Sequence, residues 1–154
     1  AARRSGRTAH DGRNVPVKED IMKTRNLLLA FALACVFAGG AAAKTYVVDI
    51  AAPGGHSFGS YGNTSAVHAA ANAVREIART VPEAVVSDFN GGATVNAIAT
   101  DATFKVTVPD GTDLRSKIEK AVDAGVKREN DFRGVKAGDL APGGTPAHVR
   151  WTIR

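Results

Sequence analysis

The clearest strand pattern in the chain is ATFKVTV at residues 102–108, which is followed by PDG at residues 109–111. Apolar and polar residues alternate along this stretch, the period of a strand with one buried face. The turn residues at 109–111 end the strand, and Thr112 or Asp113 is the predicted N-cap of a helix. Apolar residues then recur at helical spacing: Leu114, Ile118, Ala121, Val122 and Val126. We therefore predict a strand followed by an amphipathic helix.

A similar strand and helix come earlier in the chain. Residues 44–50 are rich in β-branched and aromatic side chains, and the Pro-Gly-Gly at residues 53–55 ends this predicted strand. Thr64 or Ser65 can cap the next helix, whose apolar positions keep helical spacing. These positions are Val67, Ala70, Val74, Ile77 and Val81. A short strand is predicted at residues 84–89.

The part of the chain after Asn130 is rich in Gly and Pro between residues 134 and 146. Val149, Trp151 and Ile153 then alternate with polar residues, as in a final strand. The order β-α-β-β-α, closed by this last strand, predicts an α+β fold of the ferredoxin-like, split β-α-β kind. In such a sandwich two helices cover one face of an antiparallel sheet. The other face or an edge is then free for a partner.

The N-terminal residues are predicted to lie outside the folded domain. Residues 1–21 are polar and precede the only methionine, which predicts a disordered leader or upstream read-through. Residues 22–43 combine Lys23 and Arg25, an apolar run and a small-residue end, the pattern of a signal peptide cleaved near Ala43. We therefore expect export to the periplasm or the medium.

Two alternatives to the signal peptide remain open. The first is a membrane anchor, but residues 27–43 would span only about 25 Å as a helix, against a hydrocarbon core of roughly 30 Å. No stable membrane anchor is therefore predicted. The second is a lipoprotein, because Cys35 follows a sequence that vaguely resembles a lipid-attachment box. The apolar run continues past Cys35, which favours the signal peptide over lipid attachment.

The charge and the cysteine content limit which partners and which chemistry the domain can have. Residues 1–43 hold seven of the 20 basic and three of the 15 acidic residues, so the remaining chain is nearly neutral. A nucleic-acid partner is not predicted, because it requires a clustered basic surface. The single cysteine, Cys35, lies in the predicted signal peptide, so the mature domain is predicted to have neither a disulfide nor thiolate chemistry.

Two glycine-containing motifs give the chain its resemblance to a known family. The first is APGGHSFGSYG at residues 52–62, followed by AVHA at residues 66–69, and the second is GGATVNAIA at residues 91–99. In order and spacing they resemble the lid domain of the di-zinc aminoacylase, carboxypeptidase and tripeptidase metallopeptidases, the peptidase T-like family. The resemblance covers residues 44–130, which we predict to be the lid or dimerisation domain, with residues 131–154 as a tail.

The resemblance implies roles for two residues and a partner. In the family, a lid histidine of one subunit reaches the partner's active site and polarises the substrate carbonyl or its oxyanion, assisted by an asparagine. His56 and Asn96 match those positions. Imidazole suits this role, because it donates hydrogen bonds and titrates near neutral pH. The alternatives are a turn histidine and an asparagine that ties down the turn after Gly92. His68 is predicted to pack on its helix.

The zinc ligands of the family are missing from the chain. No histidine is followed two residues later by aspartate, and no two glutamates are adjacent. We therefore expect no cofactor in this chain, although full-length relatives hold zinc, and no activity of the chain alone. The arginine expected near Val108 or Pro109 is also absent, which puts carboxylate recognition in doubt. A triad of Ser57, His68 and Asp88 lacks the nucleophile elbow, and a phosphate-loop outline at residues 54–60 lacks its lysine.

Three functional hypotheses follow from these motifs. The leading one is a homodimerisation module of a zinc exopeptidase-type hydrolase, with pairing through the lid sheet or a helix edge. The second is a module that offers His56 in trans to a separate zinc peptidase catalytic domain. The third is an inert truncated remnant, a small exported domain whose loop has no present role.

Overall fold

The computed structural model describes residues 42–111 and 113–154. The elements of this region are β1 Ala43–Ala51, β2 Gly55–His56, α1 Ala66–Thr80, β3 Val85–Gly91, β4 Ala97–Ile98, β5 Asp101–Pro109, α2 Arg115–Arg133 and β6 Arg150–Ile153. Four strands form one antiparallel sheet in the order β3-β5-β1-β6, and β2 pairs with β4 in a separate ribbon. This is the strand order of a ferredoxin-like fold, so the predicted fold class is confirmed.

The core lies between the sheet and the two helices. The alternating apolar residues of β5 are buried, as are the matching positions of β1 and the predicted apolar stripe of α2. The largest fully buried side chains of this core are Phe104, Ile77 and Ile118. Their burial confirms the period-two pattern of β5 and the helical pattern of α2, since both patterns come from residues that face one side of their element.

The predicted apolar face of α1 is confirmed at Ala70, Ile77 and Val81, which are buried, and only two of its positions differ. Val67 and Val74 are only half-buried, and the buried side of the helix is built mainly of alanines. They are Ala66, Ala69, Ala70 and Ala73. Small side chains allow the backbones of α1 and α2 to approach closely, and this approach turns the larger valines away from the helix contact.

The N-cap prediction was confirmed for α1 and was wrong for α2. Ser65 is the N-cap of α1, and its hydroxyl accepts from the backbone N–H of His68 at 3.4 Å, as predicted. The prediction for α2 was wrong at Asp113, because the N-cap is Leu114, whose side chain makes no capping hydrogen bond. Leu114 is buried, so packing rather than capping fixes this end. Thr112 lies outside the described residues.

The C-terminal residues belong to the same sheet as the rest of the fold. The predicted final strand forms as β6, which pairs with β1. The boundary predicted at Asn130 falls inside α2, and Asn130 Oδ1 accepts from the backbone N–H of Val149 at 2.8 Å. The buried hydroxyl of Thr64 donates to the Ala147 carbonyl at 2.7 Å, which ties the tail to the start of α1.

The predicted leader, most of the predicted signal peptide and Cys35 lie outside the described residues. The predicted cleavage position, Ala43, is the first residue of β1. Neither described helix is both long enough and apolar enough to cross a bilayer.

The sheet face opposite the helices is polar. Thr103 donates to Asp49 Oδ1 at 3.0 Å, and Arg154 pairs with Asp49 Oδ2 at 3.1 Å. Lys105 pairs with Asp88 at 2.8 Å on the same sheet. On the helix side, the Arg79 guanidinium lowers the pKa of Glu76, despite the opposing effect of burial. Polar pairs therefore cover the centre of the open face, whereas Val85, at the β3 edge of that face, is apolar and exposed.

Candidate functional site

The predicted site residues lie on an arm, which we define as residues 52–65 and 92–100. The arm leaves the main sheet where β1 ends and β5 begins, at the pair Ala51 and Asp101. Within it, β2 pairs with β4 so that Gly55 faces Ile98 and His56 faces Ala97. A backbone hydrogen bond of 3.0 Å from Ser57 to Asn96 joins the two segments, and one of 2.9 Å from Ala66, the first residue of α1, to Ala99 joins the arm to the helix.

Glycines give the arm its shape. Gly54 and Gly55 have φ angles of 51° and 120°, which side chains rarely tolerate. A Cβ at Gly54 would also lie 2.5 Å from the Ile98 carbonyl oxygen, so the two segments could not pair as closely. The Asn63 amide donates to the Gly54 carbonyl at 2.8 Å and closes the loop that carries His56.

The structure brings His56 and Asn96 together, although the chain separates them by forty positions. Asn96 Nδ2 lies 3.5 Å from His56 Nε2, and both side chains are exposed. The Thr94 hydroxyl donates to Asn96 Oδ1 at 2.9 Å and orients the amide. An imidazole and an amide side by side can hydrogen-bond one oxygen of a bound carbonyl group. Their catalytic roles remain a prediction.

The other histidine predictions concern His68. It lies in the first turn of α1, with its Nδ1 3.9 Å from Glu129 Oε2. It is exposed, whereas Glu129 is buried. Asp88 pairs with Lys105 at a bulge of β3 instead of approaching His68. A triad of Ser57, His68 and Asp88 is therefore not assembled.

Three residues that organise the arm and its base were missed by the sequence analysis: Asn63, Thr94 and Glu129. Asn63 and Thr94 are turn-type residues, so composition indicated loops but not which atoms they would bind. Glu129 lies on α2, and its Oε1 accepts from the backbone N–H of Ser65 at 3.0 Å. The sequence carries no signal for this bond, because its two partners are far apart in the chain.

The arm does not have the ligands of a zinc site. Residues 50–74 and 89–100 contain no Asp, Glu or Cys, so the polar groups near His56 are neutral amides and hydroxyls. Across residues 42–111 and 113–154, no group of three His, Cys, Asp or Glu side chains is arranged to hold a metal ion. Zinc prefers imidazole, thiolate and carboxylate ligands, and the side chains around His56 do not supply such a set.

Comparisons with known proteins give matches among solved structures. No protein-family model and no curated protein matches the sequence. A hydantoinase/carbamoylase family amidase from Burkholderia multivorans matches with a TM-score of 0.50 and 15% identity, over 73% of this chain and 26% of that chain. An aminobenzoyl-glutamate utilization protein from Klebsiella pneumoniae matches at 0.48 and 14%, over 73% and 27%. A tripeptidase from Staphylococcus aureus matches at 0.43 and 13%, over 73% and 28%.

This chain spans about a quarter of the length of each of these proteins. At 15% identity, the likeness to the Burkholderia multivorans amidase concerns the fold alone. The chain therefore has the fold of a segment that makes up 26% of the Burkholderia multivorans amidase.

Proposed function

We propose that this chain is the dimerisation, or lid, module of a zinc exopeptidase-type hydrolase, and that two copies pair through β3 and α1. The observation that carries the proposal is the exposure of two large apolar side chains on the edge strand β3: Val85, which pairs with Thr107 on the open face of the sheet, and Phe89, whose ring stacks on Phe104 on the helix side. Val85 and Phe89 are large, and 49% and 43% of their surfaces are exposed there. The assignment to a hydrolase family in this proposal rests on the shared fold and the two motifs.

The two edge strands of the sheet, β6 and β3, differ in how well they are protected against pairing with a strand of another molecule. Natural edge strands are protected by shortness and by charge. β6 is a strand of four residues that begins at Arg150 and is followed by Arg154. β3 has seven residues, contains no basic residue, and its Asp88 is already paired with Lys105. A bulge between Ser87 and Asn90 bends β3, so the proposed contact combines the strand with the neighbouring helix.

The outer side of α1 next to β3 is also apolar. Its surface residues recur every three or four positions without a charge: Val67, Ala71, Val74 and Ala78. Val67 lies on the side of α1 that faces β3, because its Cγ2 would be 2.8 Å from a Cβ added at Gly91. This stripe adjoins β3 on the helix side of the sheet, the side on which Phe89 stacks on Phe104. Small and branched apolar residues on a helix let a second helix pack closely.

The first prediction compares one lysine substitution at the β3 edge with one at the β6 edge. We expect the wild-type chain to be a dimer by light scattering coupled to size-exclusion chromatography. Val85→Lys should raise the dimer dissociation constant by about tenfold or more, because it buries a charge in an apolar contact. Thr152→Lys, the matched change on exposed β6, should leave the dimer intact. A monomeric wild type at high concentration would exclude the proposal, and equal effects of both lysines would exclude the β3 edge.

A second function follows from the geometry of such a dimer. Two β3 strands related by a twofold axis run antiparallel, so the two sheets point in opposite directions. The arm of each copy would then lie beside the end of the partner's sheet at which the partner's β1 begins. In this arrangement the two arms, each with its His56 and Asn96, would lie at opposite ends of the paired sheets. This favours the hypothesis that the arm serves a catalytic site outside its own domain.

The second prediction tests this role in trans. If a zinc hydrolase binds the chain, we expect His56→Ala to lower kcat of the complex by about 10²-fold or more, the usual effect of removing an oxyanion donor. His68→Ala is the matched control, because it removes another exposed histidine that is not on the arm, and its effect should be small. Unchanged kcat for His56→Ala, with binding retained, would exclude the hypothesis. An inert remnant would show neither the dimer nor this loss.

A further inference from the structure

A groove opens to solvent between the two helices. The C-terminal half of α1 lines one side of it and the N-terminal half of α2 lines the other, and its volume is about 360 Å³. Three of its lining residues are basic, and all three are exposed: Arg79, Lys117 and Lys120. We call this feature the basic groove.

The basic groove contains one buried carboxylate, that of Glu76. Arg79 Nη2 lies 2.8 Å from Glu76 Oε2, and Arg128 Nη2 lies 2.9 Å from Glu76 Oε1. The neighbouring Arg75 also acts on Glu76 through its charge. Together with Lys117 and Lys120, five basic residues therefore gather around a single acidic one.

The near-neutral total charge of the domain conceals this cluster. The chain after residue 43 has almost equal numbers of basic and acidic residues. Because the groove concentrates basic ones, the rest of the domain carries a net negative charge. Within the described residues, no acidic group pairs with the ammonium groups of Lys117 and Lys120. Their charge is therefore available to a partner.

Three other acidic residues of α2 are engaged away from the groove. Glu119 pairs with Arg115, and Asp131 pairs with Lys127. Asp123 lines a separate cavity beside β6. Among the described residues that line the basic groove, Glu76 is the only acidic one, and two arginines already bind it. The groove therefore has a positive potential that attracts anionic groups.

We infer that the basic groove binds an acidic segment of a second protein, whose Asp and Glu side chains pair with Lys117, Lys120 and Arg79. The bonds to Glu76 show that the arginines of this groove can hold a carboxylate. Ala121 and Ala124 also line the groove, and their small side chains leave room for the backbone of the segment.

The openness of the groove favours a chain of linked anions over a single one. Each ion pair exposed to water contributes little, so a lone carboxylate or phosphate would bind weakly. Several carboxylates on one segment bind together, because the first pair raises the effective concentration of the next ones.

Two other polyanions fit the groove less well. Proteins that bind single-stranded nucleic acid stack its bases on aromatic side chains, and none of the described residues that line the groove is aromatic. A helix that lies on an anionic bilayer inserts large apolar side chains beside its basic ones. Alanine supplies the apolar lining of the basic groove. An acidic protein segment needs neither aromatic stacking nor an inserted apolar side chain.

The test measures binding of a fluorescent oligoglutamate peptide to the full chain by anisotropy at low ionic strength. Lys117→Gln with Lys120→Gln should weaken binding by about fivefold to tenfold, since one exposed ion pair contributes a factor of up to about five. Lys105→Gln with Lys136→Gln is the matched control. It removes the same charge from the open sheet face and from the segment after α2, and its effect should stay within about twofold.

NMR titration with the same peptide locates the contact. We expect amide chemical-shift changes to centre on residues 75–80 and 117–124. No binding of the peptide, shift changes elsewhere, or equal weakening by the two double variants would overturn the groove. Tighter binding of an oligothymidylate of equal charge, or of phosphatidylglycerol vesicles, that is lost in the Lys117 and Lys120 variant would overturn the acidic segment in favour of a phosphate polyanion.

Groove binding does not require the proposed dimer. Val74 belongs to the proposed dimer contact, and Glu76 lies two residues further along α1. Two residues correspond to about 200° around a helix, so the two side chains point to opposite sides of α1. Light scattering should therefore give the same mass for the wild type and the Lys117 and Lys120 variant. Peptide binding by a monomeric wild type would support the groove and exclude the dimer.

Discussion

Gly125→Ala is expected to destabilise the fold by about 3 kcal/mol, in the upper part of the range for overpacked cores. Alanine is the better helix former, so the helix propensity alone would add about 1 kcal/mol of stability. The contact with α1 makes the net effect of the substitution destabilising. A Cβ at Gly125 would lie 2.3 Å from the backbone nitrogen of Ala73 and 2.4 Å from its Cα. Because these are backbone atoms, no rotamer change relieves the clash, and the two helices must separate.

Urea unfolding followed by circular dichroism measures this loss. Ala124→Gly is the matched control, since it reverses the substitution at the neighbouring, exposed position of α2. It should cost only about 1 kcal/mol, the difference in helix propensity. A stability of Gly125→Ala equal to or above that of the wild type would show that α1 and α2 are not in backbone contact at this position.

Glu129→Ala is expected to cost about 3–5 kcal/mol, the range for breaking a buried ion pair by removing one partner. Glu129 is 3% exposed, and its Oε1 accepts from the Ser65 backbone N–H at 3.0 Å. The same oxygen lies 3.4 Å from Arg133 Nε. Removal of the carboxylate leaves the N–H at the start of α1 unpaired and Arg133 without its partner. Both groups are close to the base of the arm.

The same unfolding experiment tests this prediction with two further variants. Glu129→Gln keeps an oxygen that can accept from Ser65, so it should lose less stability than the alanine variant. Glu119→Ala removes another glutamate of α2, whose pair with Arg115 at 2.8 Å is exposed to solvent. Its cost should stay below about 1 kcal/mol, as for surface ion pairs. Equal losses for Glu129→Ala and Glu119→Ala would contradict the buried role of Glu129.

The site itself was predictable only in part. The Gly-Gly pairs at residues 54–55 and 91–92 indicated turns, and the family resemblance selected His56 and Asn96. Their distance of 3.5 Å depends on the β2–β4 pairing, which involves strands of only two residues each. Such short strands carry no periodic signal, because alternation needs about four residues to be recognised. The side chains that fix the arm, Asn63 and Thr94, were for this reason not assigned.

Elements whose patterns are local could be predicted from the amino-acid sequence: the alternation in β5, the apolar stripe of α2 and the order that makes the fold ferredoxin-like. A side chain's position within one strand or helix fixes which face it shares, so the period can be taken from neighbours alone. Three features depend instead on tertiary packing: the alanine face of α1, the buried Leu114 at the start of α2 and the bond from Glu129 to Ser65. Each of these depends on how closely two distant backbones approach, and that distance is set by the packing of the whole core.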